Sequence, residues 1–182
     1  MKIKALLLSF ALLVAIPTKA HSATISVTNT NDSGSGSLRQ ALADADDGDT
    51  ITFAVTGTIT LTSGWLLISK NLTISGPGAD QLSIDANEAL LGLGLFPDKN
   101  ATVSGLTVGN GQVGIWNEGT LALSNCVISG NSADGLYNYG GTVSVSSCVL
   151  SGNAYDGLYT YEGISTLSNC VVRCKLIRRA LQ

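Results

Sequence analysis

The chain has 182 residues, 45% of them hydrophobic, 13% charged and 5% aromatic, with 21 glycines. Charged residues fall far below the usual quarter or so while apolar content is ample, which argues against disorder, and the length allows one domain rather than two. Helix formers are scarce and Thr, Ser, Val, Ile, Gly and Asn abundant, so a helical bundle or a helix-rich α/β enzyme is disfavoured.

At the start, Lys2 and Lys4 precede an apolar stretch from Ala5 to Ile16 broken only by Ser9, and the small residues Ala20 and Ser22 precede Ala23. This is the pattern of a secretory signal peptide over residues 1–22, so the mature protein is expected to be secreted or displayed on the outer cell surface. The apolar run is short for a membrane span and no second run follows, so no membrane span is expected after cleavage. Cleavage also removes the only histidine, His21, which rules out Ser-His-Asp and Cys-His nucleophilic arrangements. Residues 23–172 keep only Arg39, Lys70 and Lys99 against thirteen acids, net −10, a body that repels phosphate backbones; no nucleic-acid partner is expected.

Residues 23–50 read as an N-terminal strand and a capping helix. The alternating segment TISVTNTND comes first, and Ser37 to Ala45 then places Leu38, Ala41, Leu42 and Ala45 on one helical face, with Ser37 and Gln40 as a capping box and Gly48 just past the end. Such a helix would plug the open first turn of a coil. The preceding GSGSLR lacks the third glycine and the P-loop lysine of phosphate-binding turns, and reads as a turn with an N-cap. Asp44, Asp46, Asp47 and Asp49 invite a calcium ion, but the glycine comes one residue too early for an EF-hand and no glutamate closes the loop; a solvated helix end is the favoured reading and no cofactor is assigned.

From residue 51 the runs ITFAVTGTITL, WLLISKNLTISG, QLSID and EALLGLGLF are strand-like and separated by Gly, Pro and Asn breaks. An internal repeat then becomes explicit: GIWNEGTLALSNCVISGN from Gly114, GLYNYGGTVSVSSCVLSGN from Gly135 and GLYTYEGISTLSNCVV from Gly157. Cys126, Cys148 and Cys170 lie 22 apart, as do Ile128, Leu150 and Val172, and Leu106 and Val108 look like a shorter version of the same turn. A unit this short cannot bury its apolar face alone, whereas copies stacked at the ~4.8 Å strand spacing turn like side chains into a continuous core. The fold class expected over residues 51–172 is therefore all-β, a single-stranded parallel β-helix (β-solenoid) of about six turns.

VTNTNDSGSGSLRQALADADDGDTITF, LTISGPGAD, SGLTV and the GLYN, GT, SNC and SGN turns together resemble secreted bacterial right-handed parallel β-helix proteins. The resemblance covers about residues 24–172 and implies the pectin-lyase-like fold, shared with polymorphic outer-membrane proteins and proteins with variable C-terminal anchors. It implies fold and export far better than chemistry, because that fold hosts lyases, hydrolases, adhesins and inert stalks.

The repeats offer two sets of candidate residues. Trp116, Tyr137 and Tyr159 should turn outward in register, with Tyr139 and Tyr161 two residues on, forming one exposed aromatic stripe beside Glu118 and Glu162. Such a stripe either stacks on sugar faces or stabilises the strands by cross-strand contact. Asp134 and Asp156 precede Gly135 and Gly157 in successive repeats; a stacked pair of carboxylates is compatible with glycosidase chemistry, and Asp-Gly is equally an ordinary turn. Asn117 and Asn138, and separately Asn131 and Asn153, read as amide ladders along the coil. The cysteine column reads as buried thiols, with no zinc-ligand spacing.

Residues 173–182 break the pattern with RCKLIRRALQ, an abruptly basic tail containing Cys174 and expected to be a truncated or frameshifted end that lacks further repeats or a C-terminal anchor. The functional expectation is a secreted or cell-surface structural and binding module, engaged in adhesion or in binding an extracellular glycan or surface partner. The alternative is a polysaccharide lyase or glycoside hydrolase of the same fold.

Overall fold

A computed structural model describes residues 22–173, so the signal segment, apart from Ser22, and the basic tail from Cys174 onward lie outside the described residues. The architecture is a parallel β-solenoid whose strands, numbered in chain order, form three sheets running the length of the coil. Sheet A holds seven: β1 (Thr24–Val27), β2 (Thr50–Phe53), β5 (Leu72–Ser75), β8 (Asn100–Ser104), β11 (Thr120–Ser124), β14 (Thr142–Ser146) and β17 (Ile164–Ser168). Sheet B stacks β3 (Gly57–Thr60), β6 (Leu82–Asp85), β9 (Thr107–Gly109), β12 (Val127–Ser129), β15 (Val149–Leu150) and β18 (Val171–Val172). Sheet C stacks β4 (Leu66–Ile68), β7 (Leu91–Leu95), β10 (Val113–Asn117), β13 (Leu136–Tyr139) and β16 (Leu158–Tyr161).

Seven rungs, not the expected six, arise because β1 is a full rung of sheet A: Ile25 pairs with Ile51, across the intervening helix. The runs ITFAVTGTITL and WLLISKNLTISG each bend round a corner into two short strands of different sheets, which alternation alone could not reveal. In the later turns the register advances by 22 residues, as in Leu121 to Val143 to Ser165 and Val127 to Val149 to Val171. Leu106 and Val108 do belong to the earlier copy, Val108 pairing with Ile128.

Alternation then builds the core. Ile51, Ile74, Val103, Leu123 and Val145 point inward from sheet A, Ile84, Val108, Ile128 and Leu150 from sheet B, and Leu66, Leu93, Ile115 and Leu136 from sheet C, each at most 2% exposed. The outward positions of sheet A carry hydroxyls in register, one column running Ser26, Thr52, Ser75, Ser104, Ser124, Ser146 and Ser168. Glycine holds the tight corner before each sheet C strand: a Cβ on Gly114 would lie 2.7 Å from Gly135 O and 2.8 Å from Ile128 Cγ2, well inside contact distance.

Helix α1 (Leu38–Asp44) occupies the place of the first turn's other two strands and buries Leu38, Ala41 and Leu42 on the coil end, in the same core as Val27 and Ile51. Only half of the expected capping box forms. Ser37 Oγ accepts from Gln40 N at 3.2 Å, but the Gln40 side chain reaches forward to Asp44 Oδ1 at 2.7 Å, a better partner one helical turn on. Nor does a left-handed glycine end the helix: Ala45, with ψ of 146°, turns the chain out, Lys70 Nζ caps its carbonyl at 2.6 Å, and Gly48 serves the following turn. Arg39 ties this cap to the coil, bonding Asp32 Oδ1, Gly64 O and Trp65 O at 2.6, 2.6 and 2.9 Å. Burial opposes ionisation of Asp32, but hydrogen bonds from Ser63, Arg39 and Thr62 outweigh it and hold its carboxyl well below the usual carboxylate range.

Candidate functional site

Sheet C turns its aromatic face outward because each strand alternates an inward aliphatic with an outward ring: Ile115 pairs with Leu136 and then Leu158, so Trp116, Tyr137 and Tyr159 follow in one column. Trp116 and Tyr137 are stacked with centroids 4.5 Å apart and planes 5° from parallel, and Tyr159 continues the column at 4.9 Å, tilted by 46°. Tyr139 and Tyr161 form a parallel stack 5.4 Å apart, and Tyr139 lies 5.7 Å from Trp116, joining the columns. All five rings thus meet in one surface, half-buried at Trp116 and Tyr137 and about 40% exposed at Tyr139, Tyr159 and Tyr161. Burial in the stack, then Tyr159 and Asp134, pushes the Tyr137 phenol upward, so the rings are neutral at physiological pH. Glu118 lies beside the stripe, and Glu162 sits in the turn that leaves β16, with φ of 53°.

The inward asparagine of each strand supports these rings from behind. Asn117 Nδ2 donates to Asn138 Oδ1 at 2.6 Å, and Asn138 Nδ2 donates to Gly141 O and Ile164 O at 3.0 and 3.1 Å. A second ladder, Asn131 Nδ2 to Asn153 Oδ1 at 2.8 Å, fixes the corner that leads into the sheet C strands. Both ladders are dry, and every buried side-chain nitrogen or oxygen among the described residues has a hydrogen-bond partner.

Sequence reasoning missed the other half of the face. Trp65, Phe96 and Leu90 are 41, 45 and 53% exposed, and with Leu67, Trp116, Gln112 and Glu118 they line a groove of about 400 Å³ that continues the aromatic stripe. These residues fall in irregular early turns of 27 and 22 residues, where no repeat marks them; aligning Leu93 with Ile115 would have found them, since that register also pairs Gly94 with Trp116 and with Leu67.

Asp134 and Asp156 do stack one turn apart, but they act as turn residues. Asp134 Oδ1 accepts the Asp156 backbone N–H at 3.0 Å, which turns one oxygen into the corner rather than toward a substrate. Burial pushes the Asp134 carboxyl above its ordinary range; the bond from Asp156 N opposes this and the Asp156 charge adds to it. The acidic group after α1 is likewise engaged with backbone: Asp49 accepts from Ala23 N and Asp46 N at 2.7 and 2.9 Å, and Asp47 from Asn71 N at 2.7 Å. No cluster of three or more metal-ligating side chains occurs among the described residues. Cys126, Cys148 and Cys170 stack one turn apart as free thiols, Cys126 N donating to Cys148 Sγ at 3.4 Å; that pairing and burial push the Cys126 thiol far up.

Neither models of known protein families nor curated proteins give a match to this chain. Its reading therefore rests on the solenoid and on the surface just described.

Proposed function

We propose that this protein is a secreted or cell-surface binding module in which a rigid solenoid presents an aromatic strip to an extracellular glycan. The observation that carries the reading is the convergence of Trp116, Tyr137, Tyr139, Tyr159 and Tyr161 into one exposed surface that runs on into the groove at Trp65 and Phe96. Flat rings with apolar faces and hydroxyl edges suit the C–H faces of sugars, and the parallel strands beneath them hold the rings in place without an ordering cost on binding. Export, adhesion and the pectin-lyase-like kinship belong to the same proposal, supported by the signal-like start and by the quoted motifs.

Tyr137→Ala and Tyr159→Ala, read together by glycan-array binding and by melting, test it. Lost binding with a folded coil supports the reading; lost stability with no glycan bound by the wild type at any stage rejects it and leaves the rings as strand stabilisers. The lyase or hydrolase alternative has weaker support, since Asp134 is committed to a backbone bond. Incubation with acidic polysaccharides, with and without calcium, addresses it directly: unsaturated products or new reducing ends would replace the binding proposal with an enzymatic one.

A further inference from the structure

The outward column of sheet C runs Leu67, Gly94, Trp116, Tyr137, Tyr159, so a single rung lacks a side chain. Of the chain's 21 glycines, Gly94 alone is demanded neither by the backbone nor by crowding. Every other one has positive φ or would place a Cβ within 3.0 Å of a neighbour, whereas a Cβ on Gly94 meets its nearest atoms, Leu67 Cδ1 and Leu91 Cδ1, at 3.6 and 3.9 Å. A glycine inside a strand weakens it and commonly marks a close approach by a ligand or another backbone. Here no other backbone occupies that space: the position opens into the groove of about 400 Å³.

We infer that this gap is the primary subsite for one neutral hexopyranose unit, the sugar ring standing in for the missing rung. The inference rests on the glycan-binding reading above and specifies its site and ligand class. Tyr137 covers one face of Trp116 at 4.5 Å, and the opposite face looks toward Gly94. Strands ~4.8 Å apart place the side chains of Leu67 and Trp116 ~10 Å from each other. One inserted layer in contact with both needs ~3.5–4 Å on each side, which leaves ~2 Å to spare for a flat ring. A puckered ring with axial hydrogens uses that excess. Trp65 and Phe96 add apolar wall, and Gln112 and Glu118 offer polar groups to hydroxyls. The charge selects a neutral sugar: Glu118 lies in the groove, and three cations face thirteen acids over residues 23–172, so a uronate is repelled.

Trp65 and Trp116 are the chain's two tryptophans and both line the gap, so intrinsic fluorescence reports on this site alone. The full mature protein is titrated with neutral gluco-, manno- and galacto-oligosaccharides and with oligogalacturonate, and tryptophan emission is followed. At least one neutral oligomer should shift the emission, with oligogalacturonate at least tenfold weaker. Gly94→Tyr, which completes the ladder, should bind at least tenfold more weakly with no loss of melting temperature, while Gly94→Ala stays within about threefold. Trp65→Ala, which removes an exposed ring, gives a second route to the same loss should Gly94→Tyr fail to fold. Unchanged affinity in Gly94→Tyr or in Trp65→Ala, or binding without any change in emission, overturns the Gly94 subsite while leaving glycan binding by the tyrosines intact. A uronate bound as tightly as the neutral oligomers overturns the ligand class. Absence of binding to every glycan overturns this inference together with the reading beneath it.

Discussion

Replacing Asn138 with alanine should destabilise the coil by about 3 kcal/mol, far more than its turn-like sequence context suggests. The side chain is fully buried and donates to Gly141 O, Ile164 O and Ser165 Oγ while accepting from Asn117 Nδ2. Its two amide protons and one accepted bond are worth about 1 kcal/mol each. Asn117 Nδ2 keeps Gly119 O and Thr142 O as alternative acceptors at 3.1 and 3.3 Å, which offsets about one of the three. Ile164 O is left short of a partner and the amide leaves a small void, restoring roughly 1 kcal/mol to the cost. Urea unfolding followed by far-UV circular dichroism measures this, with Ser144→Ala, on the exposed face of sheet A, as the reference expected within about 0.5 kcal/mol of wild type. The double variant with Asn117→Ala should show a coupling of at least about 0.5 kcal/mol. An Asn138→Ala cost no larger than that of Ser144→Ala would refute the claim that the buried amides hold successive turns together.

Three further outcomes follow from particular contacts. Asp32 has a folded-state pKa below its unfolded value near 3.8, so its contribution is present above that pH and is lost as pH falls toward the folded value; Asp32→Asn should cost about 1–3 kcal/mol at pH 7 and progressively less below pH 3.8, read by pH-dependent melting. Asp134 has the opposite sign: its raised folded-state pKa makes the ionised form unfavourable in the coil, so stability is lost as pH rises past 3.8 and through the folded value. Asp134→Asn, whose amide oxygen still accepts from Asp156 N, should melt higher than wild type at pH 7 and equally at pH 3; a lower melting point at pH 7 would contradict the assignment. Finally, Gly114→Ala should cost about 3 kcal/mol because the methyl meets a carbonyl and a core isoleucine, whereas Gly94→Ala should be neutral or stabilising by about 0.5 kcal/mol; equal effects in calorimetry would undo the distinction drawn between these two glycines.

The last three turns were legible in the sequence because their contacts lie at constant separation: once Cys126, Cys148 and Cys170 align, so do the inward aliphatics and the outward rings. The earlier turns were legible only as strands. Their register steps of 26, 23, 29 and 20 residues in sheet A follow corner loops of unequal length, and neither a corner nor a loop leaves a periodic trace. For that reason the tyrosine stripe could be foreseen, whereas Trp65, Phe96 and Gly94 could not, although they lie on the same face. Local hydrogen-bond competition was equally hidden: Gln40 chose Asp44 over the helix start, and Arg39 chose Asp32 and two loop carbonyls, where sequence spacing could show only compatible partners.

The constant step of the final turns makes the molecule extensible. Leu121, Val143 and Ser165 are spaced so that duplicating or deleting one 22-residue block leaves each contact type unchanged, with the same thiol, amide and aliphatic meeting its counterpart. Each added block lengthens the rod by ~4.8 Å and contributes further tyrosine to its flank. Reach and footprint therefore grow in proportion, so a gene that gains or loses copies by slippage changes avidity for a long polymer without redesigning any contact.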